Sequence, residues 1–188
     1  MRVTKAQSLE NRQRVVTTAS ELFRERGFDG VGIADLMSAA GLTHGGFYKH
    51  FESKSDLMAL ASACGISQVA EAADGASAVD FVSHYVSRKH RDAPGQGCTL
   101  ASLGADAARQ DAQVKAVFNQ GVEQLATVLA NEGRVSELED GASQRAKMLS
   151  VIAHCVGAVI LSRACPDDSQ IADEILDACR KEILNSLE

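Results

Sequence analysis

Apolar residues recur along this chain at spacings of three and four, and no run of β-branched residues is long enough to argue for a strand. The first periodic run covers about Ser8 to Arg26. It carries Val15, Val16, Ala19, Leu22 and Phe23 on one face, with Gly27 as its stop and Phe28 as a plug. A shorter run with Ile33, Leu36, Met37 and Ala40 opens at Gly32 and ends at Gly41, and Leu42 is expected to close against Leu36 and Phe47. Thr43 is placed to cap a third, short helix with its hydroxyl, and Ser53 to cap a fourth. Asp56 follows in that fourth helix where a capping box usually has Glu or Gln.

The fourth helix continues through Leu57, Leu60 and Ala61 to about Ala73, which makes it a connector. After a break at Asp74 and Gly75 a helix is expected from about Ala78 to Arg91, and residues 92–97, with Pro94 and Gly95, are the clearest loop. Helices then follow at about Cys98 to Ala108, Ala112 to Asn131, Ala142 to Ala164 and Asp168 to Leu187, with a polar connection around Gly133 to Gly141 and Pro166 between the last two. The expected fold is all-α with about nine helices. It comprises an N-terminal three-helix unit over residues 1–54, a connector over about 54–73, and a helical remainder making 55–188 the second domain.

Composition agrees with this pattern: the chain has 188 residues, 45% hydrophobic content, two prolines and no tryptophan. No stretch approaches 18 uninterrupted apolar residues and the N-terminus lacks the apolar segment of a signal peptide, so a cytoplasmic protein without a membrane partner is expected. The five cysteines, Cys64, Cys98, Cys155, Cys165 and Cys179, include no CxxC pair, so reduced thiols are expected. The net charge of −6 divides unevenly: residues 1–60 carry eight Lys and Arg against seven acids, leaving −7 for the rest. It is the local charge facing a partner that matters for binding, and the asymmetry is consistent with an anionic partner at the N-terminal end.

Two short helices joined at a glycine turn have the form of a helix-turn-helix, whose second helix enters a DNA major groove. That second helix carries consecutive glycines, Gly45 and Gly46, each costing about 1 kcal/mol of helix propensity relative to Ala. Glycine lets backbone approach a groove wall closely. Direct readout then falls to Thr43, His44 and Lys49, with part of the specificity from DNA shape. Tyr48, His50 and Lys54 are candidate phosphate anchors beside the start of the fourth helix.

The segment Gly41-Leu42-Thr43-x-Gly45-x-Phe47-Tyr48-x-His50-Phe51-x-Ser53-Lys54-x-x-Leu57, preceded by Phe23-x-x-Arg26-Gly27-Phe28, resembles the N-terminal domain of TetR/AcrR-family transcriptional regulators. The resemblance covers roughly residues 8 to 60. It implies that Thr43, His44, Gly45, Tyr48, Lys49, His50 and Lys54 take operator-contacting positions on double-stranded DNA. Gly32 departs from the family's frequent Ser or Thr, and it can cap but cannot make a side-chain contact. The resemblance further implies a repressor released by a small-molecule effector, and a homodimer formed by the last two helices as a four-helix bundle. The broad apolar circumference of the helix from Ala142 to Ala164 independently favours such a bundle. Candidate interface residues are Leu149, Val156, Ile160, Ile175, Cys179 and Ile183.

Candidates to line an effector cavity are Phe81, His84, Tyr85, Leu100, Leu103, Phe118, Met148, Ile152 and His154. Cys98 stands at an expected helix start, where the dipole favours thiolate, with Lys89, His90 and Arg91 upstream. Its surroundings resemble a segment of thiol-responsive members of the family, which makes redox or electrophile sensing an alternative. A buried, inert cysteine is the other reading. A Cys/His enzyme or zinc protein is disfavoured: no Cys/His pair has metal-finger spacing, and there is neither a P-loop nor a Gly-x-Ser-x-Gly elbow. No cofactor is expected. A constitutive architectural DNA binder would leave about 128 residues without a task.

Overall fold

A computed structural model describes residues 4–132 and 141–188. The expected connection at Gly133 to Gly141 therefore lies outside the described residues except for Gly141 itself. The described chain is helical without strands: α1 (Lys5–Arg26), α2 (Ile33–Ala39), a 3-10 turn (His44–Lys49), α3 (Lys54–Ala73), α4 (Ala78–Tyr85), α5 (Arg88–Asp92), a 3-10 turn (Pro94–Gln96), α6 (Thr99–Ala107), α7 (Ala112–Glu132), α8 (Gly141–Ala164) and α9 (Gln170–Leu187).

Two apolar clusters hold these elements. The first gathers Val15, Val16, Ala19 and Phe23 of α1, Leu36 and Met37 of α2, Phe28, Phe47 and Phe51, and Leu57 to Ala61 of α3. Leu103 and Ala107 of α6 and Val114 of α7 complete it. Phe23 and Phe28 meet edge to face with ring centroids 5.3 Å apart, and both are fully buried. Burial of side chains of this size stabilises by about 1.5–3 kcal/mol each. The second cluster joins α3, α4 and α6 to α7, α8 and α9 through Ile66, Phe81, Val82, Tyr85, Leu125, Leu129, Val151, Ile152, Val159, Leu176 and Ile183. Because α3 contributes to both, the connector is part of each core.

Termini are set by local chemistry. Thr4 accepts from the Gln7 amide at 3.2 Å to start α1. Gly27, at φ +75°, ends it in a left-handed backbone that a side chain would strain. Gly41, at φ +71°, closes α2, and the Leu42 amide reaches back to Met37 O at 2.8 Å. Ser53 Oγ accepts from the Asp56 amide at 3.0 Å, and Asp56 returns a carboxylate to the Glu52 amide at 3.2 Å, so aspartate serves where glutamate was the usual residue.

Three expectations change. The single helix from Ala78 to Arg91 is two, because Val86 leaves helical geometry and Ser87 starts a new cap, its Oγ accepting from the His90 amide at 3.2 Å and donating to His84 O at 2.7 Å. The third helix is a six-residue 3-10 turn, and Thr43 makes no side-chain cap there. Two glycines without a cap supply too little propensity for a longer α-helical stretch. By length and composition α8 could cross a membrane, although no uninterrupted apolar run of that length exists. Its inner residues Met148, Val151, Ile152, Cys155 and Val159 are packed in the second cluster.

Candidate nucleic-acid interface and effector cavity

The recognition turn is fixed from below. Phe47 is fully buried, stacking near Tyr48 and Phe51 at centroid distances of 5.1 and 5.3 Å. From α1, Arg12 Nε donates to His50 O at 3.3 Å, with its guanidinium 5.3 Å from the Phe51 ring centroid. This leaves one polar side facing out: Thr43, His44, Gly45, Tyr48 and Lys49 are exposed, Tyr48 at 69%. His50 is half-buried.

A Cβ placed on Gly45 would meet nothing within 4 Å, and one on Gly46 only ordinary neighbours, Met37 Cε at 3.5 Å and Thr43 Oγ1 at 3.7 Å. Internal packing therefore does not require either glycine. Lys54 is placed differently from the other candidates. Its ammonium donates to Phe28 O at 2.6 Å and lies 5.9 Å from the Phe23 ring centroid, tying the start of α3 to the α1–α2 loop. An open groove of about 420 Å³ runs beside the turn, lined by Ser8, Asn11, Met37, Leu42, Thr43, Gly46, Lys49 and His50. The α1 residues of this groove carry no sequence signal beyond being polar.

Residues 15–61 match the model of the bacterial regulatory proteins of the tetR family. The match spans 47 of the 188 residues and is confined to the N-terminal unit. The Shigella flexneri transcriptional regulator AcrR is 39% identical over 56 residues, which is 30% of this chain and 26% of AcrR. The Brucella suis repressor BepR is 39% identical over 57 residues, 30% of this chain and 27% of BepR. The chain thus covers only about a quarter of these relatives' lengths. Over nearly the whole chain the fold is that of solved tetR-family structures. A Cytophaga hutchinsonii regulator superposes with a TM-score of 0.72 at 21% identity, covering 98% of both chains. The reduced form of Escherichia coli NemR superposes at 0.76 and 17%, covering 94% of this chain and 96% of NemR.

Beyond the N-terminal unit lies a cavity of about 320 Å³ between α3, α4 and the segment from His90 to Cys98. Of the expected lining residues it brings together Phe81, His84 and Tyr85, with Cys98 at the same wall. The others lie elsewhere. Leu103 belongs to the first cluster because α6 turns that face towards α1. Met148 and Ile152 are buried in the second cluster, Phe118 is half-buried between the two, and Leu100 lines a much smaller void beside Gly121. His154 is half-buried on α8, away from this cavity. Sequence reading missed Gln68, Val69, Ala72, Ala73 and Ala76 of the connector, whose small residues make the space.

His90 organises the cavity wall. Its Nδ1 lies 2.7 Å from Tyr85 O, and its Nε2 accepts from the Cys98 amide at 2.9 Å. A carbonyl on one side and an amide on the other fix the neutral ring with the proton on Nδ1. Burial pushes its pKa down to about 4. The Cys98 thiol is fully enclosed. Burial raises its pKa, against smaller lowering by the Tyr85 hydroxyl, the Ala101 and Leu100 amides and Arg163. The cation acting on it is thus Arg163, not the upstream Lys89 or Arg91. Burial outweighs the helix-start effect. The Tyr85 hydroxyl is buried beside the Cys98 thiol, and its pKa is raised, chiefly by burial.

Among the described residues, polar contacts tie α1, the loop after it and α3 to later elements. Arg24 of α1 donates to Gly95 O from Nε at 2.9 Å and from a terminal nitrogen at 2.6 Å, and to Ser20 Oγ at 2.8 Å. Asp106 of α6 accepts from the Phe28 amide at 3.2 Å. Ser55 of α3 bonds Asp111, which also accepts from the Val114 amide at 3.1 Å.

On the outer side of α8 and α9, Ile160 (38%), Leu161 (58%) and Ile171 (53%) are exposed, and Leu149, Val156, Ile175 and Cys179 are half-buried. Ile183, expected at an interface, is instead fully buried in the second cluster. Leu161 and Ile171 replace it as exposed apolar residues.

Proposed function

We propose that this chain is a repressor that binds a near-palindromic operator as a homodimer and leaves it when a small molecule occupies the 320 Å³ cavity. The observation that carries this reading is the recognition turn. Its apolar residue Phe47 is locked inward, while Thr43, His44, Gly45, Tyr48 and Lys49 form one outward polar surface. His44 reaches base-edge acceptors, Lys49 meets a phosphate beside them, Gly45 lets the backbone approach, and Tyr48 and His50 meet further phosphates. Lys54 acts by holding the reader's loop through Phe28 O.

The exposed apolar residues of α8 and α9 supply the dimer contact, and two-fold pairing presents two turns to half-sites about one helical turn apart. Release requires a ligand that binds the two dimer states unequally. The function is cytoplasmic and regulatory, without a catalytic step. Release by reversible ligand binding is favoured over Cys98 sensing, because burial holds that thiol protonated.

The test is selection of duplexes from a random pool with the purified chain, together with its mass in solution. Enrichment of an inverted repeat by a dimer is expected. A monomer that enriches no repeat would end this reading.

A further inference from the structure

The cavity wall is apolar along its depth: Val69, Ala72, Ala73 and Ala76 of α3 and its following turn face Phe81 and Tyr85, whose ring centroids are 5.2 Å apart. Its rim is polar and exposed, formed by Gln68, Asp80, His84 and Gln96. Among the described residues no lysine or arginine lines it, and Asp80 is the only acid that does. Asp80 is held by the α4 cap, accepting from Ser77 Oγ at 2.7 Å. His90 offers nothing to an anion, since both ring nitrogens are engaged by backbone groups. An anion entering here would lose its hydration with only a carboxylate for company, and burying an unpaired charge is strongly unfavourable. A cation at the rim would face that carboxylate with aromatic rings behind it.

Resting on the reading of this cavity as the effector site, we propose that its ligand is an amphiphile with an apolar, ring-containing body against Phe81 and Tyr85 and a cationic head at Asp80. Carboxylates and phosphates are excluded.

The experiment is a fluorescence titration of the DNA-free protein with three probes of one shape: 1-naphthylmethylamine (cationic at pH 7), 1-naphthylmethanol (neutral) and 1-naphthylacetate (anionic). The chain has no tryptophan to interfere. The amine is expected to bind about three- to tenfold more tightly than the alcohol, as a partly exposed ion pair with an aromatic neighbour would give. The acetate is expected to bind weakest. Asp80→Asn should bring the amine to the level of the alcohol, and Ala72→Phe, which fills the cavity, should abolish binding of both. Circular dichroism reports whether each variant is folded. Acetate binding as tightly as the amine, an order unchanged in Asp80→Asn, or no saturable amine binding would overturn the proposal. Adding selected operator duplex separates the two readings: Asp80-dependent amine binding that never weakens DNA binding sinks the effector role alone, whereas DNA release by the acetate sinks the ligand class alone.

Discussion

The most informative perturbation lies where Arg24 leaves the reader and enters the second domain. Gly65, buried midway along α3, sits beside the guanidinium: a Cβ there would collide with Arg24 Nη1 and Thr99 Oγ1 and lie 2.8 Å from Ser20 Oγ. Gly65→Ala therefore gains about 1 kcal/mol of helix propensity but incurs an overpacking cost of about 1–3 kcal/mol. Thr99 Oγ1 has no hydrogen-bond partner and can rotate aside without losing one, so the collision with Arg24 is the one that persists. Arg24→Met removes the charge-assisted bonds to Gly95 O and Ser20 Oγ, with an expected loss of about 2–4 kcal/mol. In the double variant most of the collision is gone, so Gly65→Ala should become neutral or stabilising. The two changes should depart from additivity by about 1 kcal/mol or more, as contacting residues do. Urea unfolding of the four proteins, followed by circular dichroism, measures this. Additivity within about 0.5 kcal/mol would refute the close seating of Arg24 against Gly65.

Three further outcomes are expected. His90 has a folded pKa of about 4 against an ordinary 6.5, so its contribution to stability is complete above pH 6.5 and is lost as pH falls towards 4. The loss amounts to about 3 kcal/mol and should be absent in His90→Gln when unfolding is compared across that range. Lys49→Ala should flatten the dependence of log affinity on log salt by roughly one unit, while Lys54→Ala leaves that slope unchanged and lowers thermal stability; the opposite result would assign the phosphate to Lys54. Ile160→Asp should convert dimer to monomer in a sedimentation experiment with the fold intact, whereas Ile183→Ala should cost about 2–5 kcal/mol of stability as a core deletion.

Periodicity and cap chemistry located most helices, because Ser53, Gly27 and Gly41 act through their immediate neighbours. The reader's outward residues were legible for the same reason: Phe47 fixes which side of a short turn points in. The break at Val86 and Ser87 was not, since it depends on His90 and Ser87 satisfying the end of α4. The cavity was half legible. Aromatic residues on α4 stand out in a sequence, but the space before them is made by alanines on α3, which read as ordinary helix formers. Ile183 and Ile160 carry the same hydrophobic signal, and only the placement of α8 against α9 tells inside from outside. Lys54 reads from sequence as a phosphate anchor, because the Phe28 carbonyl that takes its ammonium comes from a loop 26 residues away.

The helix α6 is anchored at both extremities. Cys98 at its start belongs to the cavity wall, and Asp106 near its end grips the Phe28 amide and fills the space above Gly27. Nine residues make a strut of about 13 Å, too short to absorb a push by curving. A guest that wedges Cys98 outward must slide the whole strut, and the far tip then tugs the amide of the same residue, Phe28, whose carbonyl steadies Lys54.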